Sequence, residues 1–191
     1  MFSTLFHRLQ KRCVCGATMQ LARQSLRVTP EHLIHYLPAL GNVLYMPLRS
    51  DAKPVVEMPR GFLVEAMSLA PLLRARWLVI ASQITVDGPR EWIDCISADH
   101  QACARMYLLP DTDYLAWDAL LGCGDRVAES PAFASAPAAA SAQMLHFHAR
   151  RMAGLQMLGA ELATMSSTLS KDLAGRIARY EALPLQLPAS G

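Results

Sequence analysis

Residues 88–121 read GPREWIDCISADHQACARMYLLPDTDYLAWDALL. In the first run Trp92, Asp94 and Ile96 alternate with Ile93, Cys95 and Ser97. In the second, Arg105 and Tyr107 alternate with Met106 and Leu108. Strict alternation puts successive side chains on opposite faces of a half-buried sheet. The polar tip Ala98-Asp99-His100-Gln101 between the runs predicts a hairpin. After Pro110, Asp111 or Thr112 stands where a helix N-cap is needed, ahead of Tyr114, Leu115, Trp117, Ala119 and Leu121. Gly122 and Gly124 end that helix.

Working upstream, residues 77–86 supply a third antiparallel strand, joined through Asp87-Gly88, so that 77–109 form a meander. "GFLVEAMSLAPLLRA" fits a strand or a helix, and Pro71 interrupts either. "NVLYMPLRS" and "KPVVEM" read as two short strands around a turn at Ser50-Asp51, and Pro47, Pro54 and Pro59 place them at an edge or bulge. Residues 17–27 and 30–37 read as two helices, the second with Thr29 as N-cap and Pro30 at its first position.

Downstream, "ESPAFASAPAAASA" is a linker of small residues. Leu145, Met152, Leu155, Leu158, Leu162, Met165 and Leu169 recur at helical spacing. The organisation read from the chain is an N-terminal helical arm over 1–16, an α+β domain over 17–125, a linker over 126–142 and one C-terminal helix over 143–182. The fold class is α+β: an antiparallel sheet with N-terminal helices and a C-terminal helix. The methionines of the last segment, with proline-bearing strands that leave edges to cover, predict a homodimer through a sheet edge or that helix.

The totals narrow the function classes. The chain has 191 residues, 52% hydrophobic and 18% charged, which supports a buried core without disulfides or metal. A net charge of +2 is too mild for a partner held by phosphate contacts, so no nucleic acid is expected. The longest apolar run, near Trp77 to Ala81, is too short for membrane insertion. The start, MFSTLFHRLQ, places Phe2, Leu5, Phe6 and Leu9 on one helix face interrupted by His7 and Arg8. It reads as a helix and not as a secretory signal, which makes the cytoplasm the expected location. Five cysteines, an odd number, then stay as thiols.

The order of helix pair, Leu-Pro-x-Leu-Gly, two strands, meander, Pro-Asp-x-Asp and capped helix resembles one repeat of the HemS/ChuX family of bacterial haem-utilisation proteins. The resemblance runs from about Ala22 to Leu121. It is carried by ARQSLRVTPEHLIHYLPAL, by LGNVLYMPLRSDAKPVVEMPRG, which sets Arg49, Glu57, Arg60 and Gly61 on recurring positions, and by the hairpin and acid-capped helix. It implies a haem carrier or an accessory factor in haem uptake, non-enzymatic at base, with haem degradation known among relatives. The alternative is an interaction or regulatory module that kept the fold and lost the ligand.

A haem site needs cations for the propionates and an iron ligand. Arg49, Arg60, Arg74 and Arg76 are the candidate cations, since guanidinium matches carboxylate; the plainer reading leaves them solvated or paired with Glu57 and Glu65. Residues 36–99 hold no histidine, so the resemblance brings no iron ligand to the sheet. His32 and His35, three apart on one helix face, and His100 on the hairpin tip remain as candidates. His146 and His148, two apart in a segment read as helical, would not face each other. Cys13-x-Cys15 lacks the spacing of a zinc site, and Cys95 and Cys103 read as small hydrophobes on adjacent strands. Asp111, Asp113 and Asp118 are explained by capping and the helix dipole. No nucleophile elbow, phosphate loop or dinucleotide fingerprint is present.

Overall fold

The computed structural model describes residues 22–48, 58–85, 88–127 and 139–187. The arm over 1–16, Cys13, Cys15, Arg49, Glu57, the turn at Ser50-Asp51, the strand expected from KPVVEM and most of the linker lie outside the described residues.

The fold is α+β, with a ten-stranded mixed sheet at its centre. Its strands are β1 (Ala22–Arg27), β2 (Asn42–Pro47), β3 (Phe62–Val64), β4 (Ala75–Thr85), β5 (Gly88–Ser97), β6 (Ala102–Tyr107), β7 (Asp125–Val127), β8 (Ala142–Met152), β9 (Leu155–Leu162) and β10 (Leu185–Gln186). They lie in the order β3-β9-β8-β2-β6-β5-β4-β1-β7, with β10 beside β8. The helices are α1 (Pro30–Tyr36), α2 (Ala70–Arg74), α3 (Tyr114–Gly122) and α4 (Thr168–Tyr180).

The meander read from residues 77–109 is present. β4 pairs β5 from Ala75↔Ser97 to Thr85↔Gly88, and β5 pairs β6 from Trp92↔Tyr107 to Ile96↔Ala102. A bulge between Cys95 and Ile96 shifts the second ladder. The following helix is capped by Asp113, not by Asp111 or Thr112: its carboxylate accepts from the amides of Leu115 and Ala116. Thr112 instead receives the Leu109 amide and donates its hydroxyl to the Asn42 carbonyl at 2.6 Å, which ties the loop to β2.

Two segments differ from their sequence reading. Residues 22–27 are a strand, not a helix: Leu26 is fully buried between exposed Arg27 and buried Ser25, and β1 pairs β4 along its whole length. The expected C-terminal helix over 143–182 is a hairpin, β8 and β9, followed by α4. Spacings of three and four residues among Met152, Leu155, Leu158 and Leu162 imitate a helix. A two-residue turn at Ala153 (φ 49°) and Gly154 (φ 81°) splits them between two strands. The methionine stripe dissolves accordingly: Met144 is buried, while Met152 and Met165 are exposed. The sheet is also not purely antiparallel, because β3 joins β9 and β10 joins β8 in parallel.

The two sheet faces carry separate cores. Leu26, Leu78, Ile93, Val43, Tyr45, Leu145 and Phe147 pack with Leu33 of α1, Leu72 of α2 and Trp117 of α3. On the opposite face Leu44, Trp92, Tyr107 and Met144 pack under Ala174, Ile177 and Ala178 of α4. β2, with both faces covered, is buried at four consecutive positions, which is why its sequence is a continuous apolar run. No helix among the described residues is long and apolar enough to cross a membrane.

Candidate functional site

Helix α1 is short because its sequence starts and stops it. Thr29 accepts the His32 amide, Pro30 opens the first turn, and Pro38 follows within a 3₁₀ turn over Leu37–Leu40. Pro30, Leu33 and Ile34 are its buried residues, so the helix is pinned by one side. His32, His35 and Tyr36 occupy the remaining side, and the His35 and Tyr36 rings meet edge to face at 4.8 Å.

Opposite lies the end of the β8–β9 hairpin. The Ala153-Gly154 turn keeps the register Arg151↔Gln156 and Arg150↔Met157, so both arginines stand near the end of the hairpin, where β3 pairs with Gln156 and Met157 on the far side of β9. Between helix and ribbon opens a cleft of about 710 Å³, lined by His32, His35 and Tyr36 on one side and by Arg150, Arg151 and Gln156 on the other. The cleft is broad and open to solvent rather than enclosed. Ile34, Pro38 and Ala149 supply apolar surface, and Glu31 is the one carboxylate in the lining. The Nδ1 atom of His32 is buried and has no hydrogen-bond partner among the described residues.

The candidates named from sequence therefore divide. His32 and His35 line the cleft. Arg60 is exposed in the turn before β3. Arg76 lies on β4 and donates to the Ala75 carbonyl. Arg74 and His100 belong to the surroundings of the β5–β6 turn. There His100, at φ 59°, stacks on Trp77 with ring centroids 4.8 Å apart. The Ser97 hydroxyl donates to Asp99 and, with Arg74 nearby, holds that carboxyl below its ordinary value. None of these groups lines the cleft. The cations that do, Arg150 and Arg151, were hidden by the helical reading of their segment. The signal for them was Ala-Gly flanked by the alternation of Leu145, Phe147 and Ala149 with His146, His148 and Arg150.

Among the described residues the thiols offer no reactive group. Burial raises Cys95 and pushes Cys103 up to about 12, and both remain unpaired. No family model and no curated protein sequence matches the chain.

Proposed function

We propose that this protein binds haem in the cleft between α1 and the β8–β9 hairpin and serves as a carrier or accessory factor in haem use. The observation that carries the reading is the joining of His32, His35 and Tyr36 with Arg150 and Arg151 around one opening. The donor set fits the group: imidazole and phenol oxygen are iron ligands, and guanidinium pairs with propionate carboxylates. When bound, haem would supply the iron and the macrocycle, and the chain supplies attachment and orientation. His32 and His35 are the candidate ligands. The unmet Nδ1 of His32 is the nitrogen left without a protein partner. Arg150 and Arg151 would hold the propionates at the hairpin end.

Hemin titration of the purified chain tests this. A saturable Soret shift at micromolar hemin is expected, lost or displaced in His32→Ala or His35→Ala and preserved in His100→Ala. An unshifted, linear response removes the carrier reading and leaves an interaction module of the same fold.

A further inference from the structure

Helix α3 carries more apolar surface than its place in the fold covers. Its sequence, YLAWDALLG, is apolar on every side, and Asp118 is its one charged residue. A helix of that composition belongs in an interior. One side is covered: Trp117 and Leu120 are buried, and Ala116 and Leu121 pack against the same core. On the outer side Leu115 is 81% exposed and Tyr114 46%, with Asp118 and Ala119 open beside them.

The charges around this stripe select what can cover it. Asp113, the N-cap, and Asp118 are exposed, and residues 110–123 include no Lys, Arg or His. A second copy of α3 laid on the first would set acid against acid. The fitting partner is apolar along one side and basic along the other.

The chain itself supplies such a segment. Phe2, Leu5, Phe6 and Leu9 fall on one helix face, His7, Arg8, Lys11 and Arg12 lie beside or opposite it, and residues 1–30 hold no Asp or Glu. The segment also joins the fold close to α3. Ala22 pairs Ser82 of β4, and Ser82 pairs Glu91 of β5, whose carboxylate takes the Trp117 indole of α3. Two strand spacings are about 10 Å. Residues 17–21, between the arm and β1, span up to about 17 Å when extended.

We propose that residues 1–16 dock as a helix along the exposed side of α3. Phe2, Leu5, Phe6 and Leu9 lie against Leu115 and Ala119, and the basic side chains meet Asp113 and Asp118. The apolar stripe then becomes a helix–helix seam within one chain. No residue of α3 lines the cleft, so the seam does not depend on haem.

Amide hydrogen exchange of the full-length chain, read by mass spectrometry, tests this. Peptides covering residues 2–12 should exchange at least about tenfold slower than an unstructured chain. Leu115→Lys and Asp118→Lys should return them to the unstructured rate. Met67→Lys, at an exposed apolar residue in the 3₁₀ turn before α2, should leave them protected. Phe6→Glu/Leu9→Glu should act in the reverse direction and speed exchange across 114–122. Circular dichroism and melting of each variant establish that the fold persists. Arm exchange at the unstructured rate in the wild type, or protection that survives Leu115→Lys, overturns the proposal. Protection lost on dilution, together with loss of a dimer, assigns the arm to a second copy. Protection seen only with phosphatidylglycerol vesicles assigns it to an anionic lipid surface. Either result also overturns the docking on α3 of the same chain.

Discussion

The indole N–H of Trp117 donates to the carboxylate of Glu91 at 2.6 Å, joining α3 to β5. Trp117 is the largest fully buried side chain, and the bond gives its polar edge a partner where the helix meets the sheet. Burial raises the Glu91 carboxyl above its ordinary value; the Trp117 bond draws it partly back, and Asp118 adds to the rise. Trp117→Phe removes the donor and leaves that carboxylate without its partner. A loss of about 1–3 kcal/mol beyond the change in packing is expected in urea unfolding at neutral pH.

The same carboxyl has a pH signature. Its folded-state value lies above the unfolded one, so between the two the native chain binds more protons than the unfolded chain. Stability from this group is fully present below about the ordinary value of 4.5 and is lost as pH rises through the folded-state value. Glu91→Gln cannot lose that proton. The stability gap between wild type and Glu91→Gln should therefore shift in favour of the variant as pH rises above 4.5. A gap constant from pH 4 to pH 7 would show that Glu91 titrates alike in both states.

On the α4 face, Arg105 Nε donates to Asp94 at 2.6 Å and its terminal nitrogen to Glu181 at 3.2 Å, while the Tyr107 hydroxyl donates to Glu181 at 2.8 Å. Asp94 is 5% exposed, so its charge has little water to fall back on. Arg105→Met leaves that carboxylate with the Trp92 indole N–H at 3.2 Å but no counter-charge, and should cost about 3 kcal/mol. Asp94→Leu with Arg105→Met removes both charges and should recover most of the loss, as a double-mutant cycle in urea would measure. Equal losses in the single and double variants would mean that the Arg105 stem, not the ion pair, carries the effect.

What the sequence revealed depended on how uniquely each pattern maps to a backbone. The meander was legible because Trp92 to Ser97 and Arg105 to Leu108 alternate without interruption, and helix α1 because Thr29-Pro30 and Pro38 bracket it. The hairpin of β8 and β9 was not, because i, i+4 belongs to both the helical and the strand period. The leucines straddling Ala153-Gly154 fall at helical intervals only when the turn is ignored. Half of the cleft went unseen with it. His32 and His35 were within reach of local spacing, but Arg150 and Arg151 lie over a hundred residues away in the chain and join them only through tertiary folding.

Gly41 closes the joint where the 3₁₀ turn enters β2. Its φ is 69°, and a Cβ there would come within 3.1 Å of the Asp111 carbonyl oxygen. Around it the Asp113 amide donates to the Leu40 carbonyl at 2.8 Å, so the loop has no free direction in which to retreat. Gly41→Ala should cost about 1–3 kcal/mol from the backbone conformation alone, whose ψ of −142° at positive φ is essentially confined to glycine, and more from the contact. Gly61, also at positive φ, has open space where a Cβ would go, so Gly61→Ala should show the conformational part alone. Equal losses at the two sites in thermal unfolding would mean that the Asp111 contact relaxes freely.

The arginines of the cleft give the haem reading its own quantitative check. A charge-assisted hydrogen bond contributes about 1.5–3 kcal/mol, and each 1.4 kcal/mol is roughly tenfold in affinity. Arg151→Ala should therefore weaken hemin binding by about 10–100-fold, and Arg151→Glu by more, since it repels a propionate. Arg150 is two-thirds exposed and shared with Glu65, so Arg150→Ala should cost less. Raising ionic strength should erode the wild-type affinity and leave that of an Arg150→Ala/Arg151→Ala variant nearly flat, because the screened attraction is then gone. Equal salt slopes in the two proteins would place the carboxylates away from the hairpin end and detach the cleft from the porphyrin.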